Sequence, residues 1–226
     1  TDGSGSSSFE YDRLGRLIKE TKVIDSTPYT VNRSYDVLGR LTTLTYPDTE
    51  IAQYTYNAQG GIETVKLQQG ATVQTLVSDI TYNAAGQLTK LTYGNGTVSD
   101  YTYNPQTLRL DQLKTTGPTG TIQDFSYALD PVGNVTGITD RVHTATQSFQ
   151  YDDLNRLTQA TGSYGVSTYA YDPIGNMTSK EGVTMSYGLA NGSKPHAVTA
   201  VSNLQLPASN LQLSYDANGN LTQKVQ

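Results

Sequence analysis

A seven-residue motif, Tyr-Asp-x-x-Gly-Arg-Leu, recurs down the length of this 226-residue chain. Its sharpest copies carry Tyr11, Asp12, Gly15 and Arg16, then Tyr35, Asp36, Gly39 and Arg40. Drifted copies follow at Tyr56 with Gly60, Tyr82 with Gly86, Asp130 with Gly133, and Tyr151 with Asp152, Asn155 and Arg156. The series closes with Tyr171, Asp172 and Gly175, then Tyr215, Asp216 and Gly219. Counting an irregular copy at Tyr103, the units start 20 to 26 positions apart, with one longer gap before Tyr215. Self-similarity at a near-constant period is the signature of an array. Stacked repeats build an extended surface or wall more readily than a catalytic pocket.

Each copy predicts one turn geometry. The opening Asp or Asn can bond the backbone two residues on, which starts a type I turn. The Gly three positions later takes the left-handed conformation and makes a hairpin with a bulge. Asn155 replaces that Gly in one unit, and Asn is the residue that best tolerates the conformation after Gly. Pro131 and Pro173 follow the opening Asp, where a fixed φ suits a type I turn. The Tyr103 unit carries an extra residue and no Gly, which predicts a longer, looser turn. Arg16, Arg40 and Arg156 are placed to pair across the hairpin with the opening Asp, as register markers rather than ligands.

The flanks read as strands. Aromatic pairs two residues apart, such as Phe9/Tyr11, Tyr54/Tyr56 and Tyr169/Tyr171, put two rings on one strand face. Stacked hairpins would align them in a cross-strand ladder. Second turns are visible at Tyr46-Pro47-Asp48, Gln69-Gly70, Gly94-Asn95-Gly96, Gly117 to Gly120 and Gly162 to Gly165. A unit is then strand, turn, strand, turn, and about ten units fill residues 9–226. Seventeen Tyr, three Phe and no Trp, with 35% hydrophobic residues, suit a thin sheet wet on both faces rather than a thick aliphatic core. The expected fold is all-β: a repeat array of stacked antiparallel β-hairpins forming a long curved sheet. A ribbon of that length must twist, so it reads as part of a spiral hollow shell. Residues 1–8, Gly- and Ser-rich, read as a flexible linker or expression remnant. The abrupt start of the array at Phe9 and its end after Leu221 suggest a piece of a longer chain.

Net charge is -5 with 15% charged residues, which leaves no basic patch for phosphates and argues against nucleic-acid binding. No apolar run is long enough to span a membrane. With no Cys there is neither a disulfide framework nor a thiolate metal site. His143, in what reads as a hairpin tip, and His196 have no nucleophile motif to serve. Most Asp are explained as turn openers; Asp111, Asp124 and Glu181 are not, but no carboxylate pair is singled out for glycoside hydrolysis. Asp216 to Asn220 faintly resembles a calcium loop, but the Gly comes too early and no closing Glu follows. The expectation is no catalytic residue, no cofactor and no metal. A Tyr- and Asn-rich surface that binds glycans or proteins in adhesion is the alternative to a purely structural role.

These motifs closely resemble the RHS/YD-repeat family, whose defining pattern is Tyr-Asp-x-x-Gly-[Arg/Asn]-Leu-Thr. The trailing Thr is present at Thr42, Thr89, Thr158, Thr178 and Thr222. The resemblance covers the chain from about Phe9 onward. Lys194 to Val201 is similar to the last repeats before the family's core segment. The resemblance implies a non-catalytic stretch of a hollow β-shell that encloses a toxic C-terminal polypeptide in a secreted or cell-surface bacterial protein. It implies, as partners, the rest of the parent chain: other repeats, a self-cleaving core segment and the enclosed cargo. No catalytic residue carries over to this sequence. Exposed edge strands would favour self-association.

Overall fold

In the computed structural model, which describes residues 5–188, 194–204 and 210–225, the regular structure is all strand. The strands belong to two compact units divided between Asp124 and Phe125. The first holds β1 (Gly5–Tyr11), β2 (Leu17–Ile24), β3 (Thr27–Tyr35), β4 (Leu41–Thr45), β5 (Ile51–Tyr56), β6 (Ile62–Gln69), β7 (Thr72–Tyr82), β8 (Leu88–Tyr93), β9 (Val98–Tyr103) and β10 (Leu110–Gly117). The division falls within β11 (Gly120–Leu129). The second unit continues through β12 (Val135–Asp140), β13 (Ala145–Tyr151), β14 (Leu157–Gly162), β15 (Gly165–Tyr171) and β16 (Met177–Lys180). It ends with β17 (Val183–Tyr187), β18 (Val198–Ser202), β19 (Asn210–Tyr215) and β20 (Leu221–Val225). Within each unit, every strand pairs antiparallel with the next in sequence. This is the all-β array of hairpins that the repeat predicts. Of residues 1–8, expected as a linker, Gly5 to Ser8 instead belong to β1 and pair with Ile24 to Thr21. Residues 1–4 lie outside the described residues.

The turns follow their residues. All eight positions expected to be left-handed have positive φ, from +59° at Asn155 to +108° at Gly133. In each, the opening residue and its fourth successor close the hairpin, as in Asp12 N donating to Arg16 O at 2.9 Å. The Tyr103 turn is longer by one residue, as expected, but not looser. Asn104 N still donates to Arg109 O at 2.8 Å, and Leu108 supplies the positive φ at +57°. Two hairpins have no strong sequence signal: Asp25-Ser26 and Glu181-Gly182 both take positive φ at each central residue, a type I′ turn.

A bulge follows every repeat turn. Tyr35 faces Leu41 while Ser34 faces Thr43, so Thr42 is the extra residue. The same offset leaves Thr89, Thr136, Thr158, Thr178, Thr199 and Thr222 unpaired at their turns. A bulge disrupts the ladder locally and leaves the extra residue unpaired. At three of these bulges the Thr hydroxyl reaches the partner strand: Thr158, Thr199 and Thr222 donate to Gln150, Ser186 and Ser214 carbonyls at 3.1, 3.2 and 3.0 Å, while the Thr89 hydroxyl meets that of Thr81 at 3.0 Å.

Neither unit has a dry interior. Ala52 and Ala160 are the buried apolar side chains among the described residues, and no large side chain is fully buried. The chain exposes 14432 Å², whereas two separate compact domains of half its mass would expose about 12,000 Å². The excess fits strands solvated on both faces.

Candidate functional site: the seam between successive turns

The residues that the sequence marks converge on the turns and on the gaps between one turn and the next. In the first turn, Asp12 Oδ1 accepts from the Leu14 and Arg16 amides at 2.9 and 3.0 Å. Asp12 Oδ2 accepts from Arg16 Nε at 2.6 Å. Arg40 with Asp36 and Arg156 with Asp152 repeat this pairing at 2.7 Å. The expected cross-hairpin pairs are therefore present. The guanidinium does more, however. Arg16 Nη1 donates to Asp36 O in the following turn at 3.1 Å, and Arg156 Nη1 to Asp172 O at 3.0 Å. Each of the three lies over the next unit's Tyr, 4.8, 4.5 and 4.8 Å from the rings of Tyr35, Tyr56 and Tyr171, which is cation–π range.

At three turns where the sixth motif position is Asn or Gln rather than Arg, a side-chain amide bridges. Asn134 Nδ2 donates to its own Asp130 Oδ2 and to Asn155 Oδ1 in the next turn, both at 2.8 Å. Asn176, almost buried at 6% exposure, binds Asp172 and Pro195 O in the same way. Gln87 accepts from Asn83 Nδ2 at 2.9 Å and donates to Leu108 O at 2.7 Å.

The tyrosines complete the seam. Tyr35 donates its hydroxyl to Leu17 O at 2.8 Å, and Tyr56 to Leu41 O at 2.7 Å. Tyr82, Tyr103, Tyr151 and Tyr215 reach Ile62, Leu88, Val135 and Val198 likewise. In every case the acceptor is the Leu position of the preceding unit. Tyr187 joins them through Met177 O at 2.9 Å, although no Asp-x-x-Gly follows it. Tyr187 carries neither that motif nor the period, lying 16 residues after Tyr171, so the repeat alone does not mark it. The ladder expected from aromatic pairs is, at the motif Tyr, a ladder of hydroxyl-to-carbonyl bonds. Nearby phenols do cluster: burial and then the neighbouring Tyr46 and Tyr56 raise the Tyr54 pKa, and burial with Tyr93 and Tyr103 raises that of Tyr101.

The opening carboxylates are tuned by this geometry. The Arg16 backbone amide, assisted by the Arg16 side chain, holds Asp12 below the ordinary carboxylate value, and Arg40 and Arg156 do the same to Asp36 and Asp152. At Asp130 and Asp172, burial pushes upward but donors from Asn134 and Asn176 win, and both are lowered. Asp216 is lowered chiefly by the Asn220 side chain.

The remaining candidates fall to structural tasks. His143 sits at the β12–β13 tip, exposed, with Nδ1 2.7 Å from Asp140 Oδ2. His196 Nδ1 lies 2.7 Å from Asn176 Oδ1; because Asn176 Nδ2 is already donating, Nδ1 is the donor here. Asp111 is the extra residue of a bulge, Asp124 accepts from Gln112 at 2.7 Å, and Glu181 forms a turn. Both Asp216 oxygens are occupied by Asn218 and Asn220. Among the described residues no group of three His, Cys, Asp or Glu could hold a metal ion, and no helix is long and apolar enough to cross a membrane.

The arrangement is similar to known ones. A profile of the teneurin YD-shell matches residues 3–79, and one of the RHS repeat matches residues 82–122 and 130–167. No curated protein matches the chain significantly. Among solved structures, the TcdB2–TccC3–Cdc42 crystal structure aligns with a TM-score of 0.74 at 19% identity, covering 99% of this chain and 16% of that one. The Photorhabdus luminescens Tc holotoxin pore with a substituted TccC3 gives 0.74 at 20%, covering 99% and 15%. TcdB2–TccC3 without its hypervariable C-terminal region gives 0.67 at 24%, covering 99% and 12%. At such identities the likeness shows the fold, and this chain spans only a sixth or less of each of these three.

Proposed function

Because the chain belongs to the RHS/YD-repeat family, we propose that it is a non-catalytic wall segment of a β-shell. In this reading the shell encloses the toxic C-terminal polypeptide of a secreted bacterial toxin or toxin complex. The observation that carries the reading is how the motif side chains are used. Asp12, Arg16, Tyr35 and their repeats are consumed in joining one hairpin to the next, so within each unit the repeats tie turn to turn. A wall needs in-plane strength without a thick core, and both units have that character. The partners are then the other repeats, the core segment and the cargo of the parent chain.

The test is limited proteolysis of the purified parent protein, read by intact mass. Enclosure requires a C-terminal piece that is cleaved from the shell yet retained and protease-resistant until the shell is unfolded. A parent chain that stays whole with no protected segment overturns enclosure and leaves surface binding to glycans or proteins as the better reading. A glycan array probed with the isolated chain should then show specific binding, which a wall segment lacks.

A further inference from the structure

One gap in the seam lacks its bridging side chain. Between the Tyr56 and Tyr82 turns, the sixth motif position is Gly61 rather than Arg, Asn or Gln. There the structure has a notch of about 510 Å³ lined by Asn57, Gly60, Gly61, Tyr82 and Asn83, among others. Sister gaps show what occupies the same place. At the next step along the chain, Gln87 lies between Asn83 and the Leu108 carbonyl.

The polar groups of the notch select among ligands. Asn57 Oδ1 accepts from the Gln59 and Gly61 amides at 3.1 and 2.9 Å. That orients Nδ2, a donor, toward the gap, where an Asp would offer a second oxygen. A Cβ on Gly61 would lie 3.2 Å from this Nδ2 and 2.8 Å from Cε2 of Tyr82, whose ring packs over Gly61. Across the notch, Asn83 O accepts one bond, from Gly86 N at 3.0 Å. Its counterparts Asp36 O and Asp172 O each accept a second one, from the bridging Arg. The notch therefore presents the Asn57 donor, the Asn83 acceptor and the Tyr82 ring, with Gln59 at its lining as well. A guanidinium, which only donates, would confront the Asn57 amide; a carboxylate would leave Asn83 O unanswered. A carboxamide matches both, as Gln87 does next door.

We propose that this notch is a binding site for the side-chain carboxamide of a Gln or Asn carried by another polypeptide segment. Its oxygen accepts from Asn57 Nδ2, its NH₂ donates to Asn83 O, and its stem lies along Tyr82. The missing link of the seam is thus supplied in trans. This goes beyond the shell reading and does not depend on it, since the ligand site would exist on a wall or on an adhesive surface.

The test is an NMR titration of the isotope-labelled chain with Nα-acetylglutamine methylamide, and with the corresponding arginine and glutamate compounds and N-acetylglucosamine. The glutamine probe should shift the Gly60 and Gly61 amides and the Asn57 side-chain NH₂, with a Kd on the order of 1 mM for a ligand this small. It should bind about threefold to tenfold tighter than the arginine or glutamate probe, the effect of one mismatched hydrogen bond. Asn57→Asp keeps a residue that opens sister turns and exchanges the donor for an acceptor, so preference should pass to the arginine probe. Equal or tighter binding of arginine, glutamate or the sugar by the unaltered chain overturns the assignment. So does the absence of localised shifts with every probe. The comparison among probes in the unaltered chain stands even if the variant does not fold.

Discussion

A single turn residue decides whether a hairpin closes. Gly39 has φ +81°, and a Cβ built on it meets only Arg16 Nη1, at an ordinary 3.8 Å. Space is available, so a substitution is opposed by the backbone alone. Gly39→Val is expected to cost about 1–3 kcal/mol in urea unfolding, because a β-branched residue resists this conformation. Gly39→Asn should cost distinctly less, since Asn155 holds φ +59° in its own turn. Equal losses for the two would sink the turn assignment. The Tyr hydroxyls are open to the same treatment: Tyr56→Phe strands the Leu41 carbonyl and is expected to cost about 0.5–1.5 kcal/mol. The carboxylates set the acid limit. Asp12, Asp36 and Asp152 titrate below their ordinary 3.8 when folded, so the folded chain binds fewer protons than the unfolded one there. Their contribution is complete above that value and is lost as pH falls through the lowered folded values. Circular dichroism against pH should show this as an acid transition. Asp36→Asn, with an opener already used at Asn57 and Asn83, should flatten part of it.

At the scale of the element, the unit of construction is two turns and the bridge between them. Arg40 pairs with Asp36 and covers the Tyr56 ring of the next unit. A Lys has no planar fork to do both. Arg40→Lys is accordingly expected to cost about 1 kcal/mol, against almost nothing for the same change at Arg13, which is exposed at a turn tip. Matched thermal melts of the two variants check this. The sequence made the turn legible because Asp, Gly and Pro each restrict the backbone on their own. It made the Asp–Arg pair legible because both partners lie within one turn. The bridge to the following turn was not legible, since it joins residues 20 apart such as Arg16 and Asp36 through a backbone carbonyl that any residue could supply. The bulge Thr was read as part of a motif but not as the extra residue of a bulge, because the register shift appears only when two strands are paired. Asp25-Ser26 escaped notice because type I′ turns usually announce themselves with Gly.

For the chain taken whole, stability without a dry core means that edges matter more than interiors. β1 exposes nearly every side chain, including Phe9 at 50% and Tyr11 at 59%, and among the described residues it pairs on one side only, with β2. β20 is exposed throughout and pairs with β19. A strand in that position offers unpaired amides and carbonyls to another sheet. The isolated 226-residue chain is therefore expected to self-associate edge to edge, with a mass in light scattering that rises with concentration. The cause can be separated from surface stickiness. Placing charge on the edge with Ser7→Lys and Phe9→Lys should restore a monomer, because like charges and a polar edge oppose strand addition. The same two changes on exposed turn tips, at Leu14 and Val37, should leave association as it was. A monomer at every concentration, or association that responds to the tips and not to β1, would show that the edge is already protected.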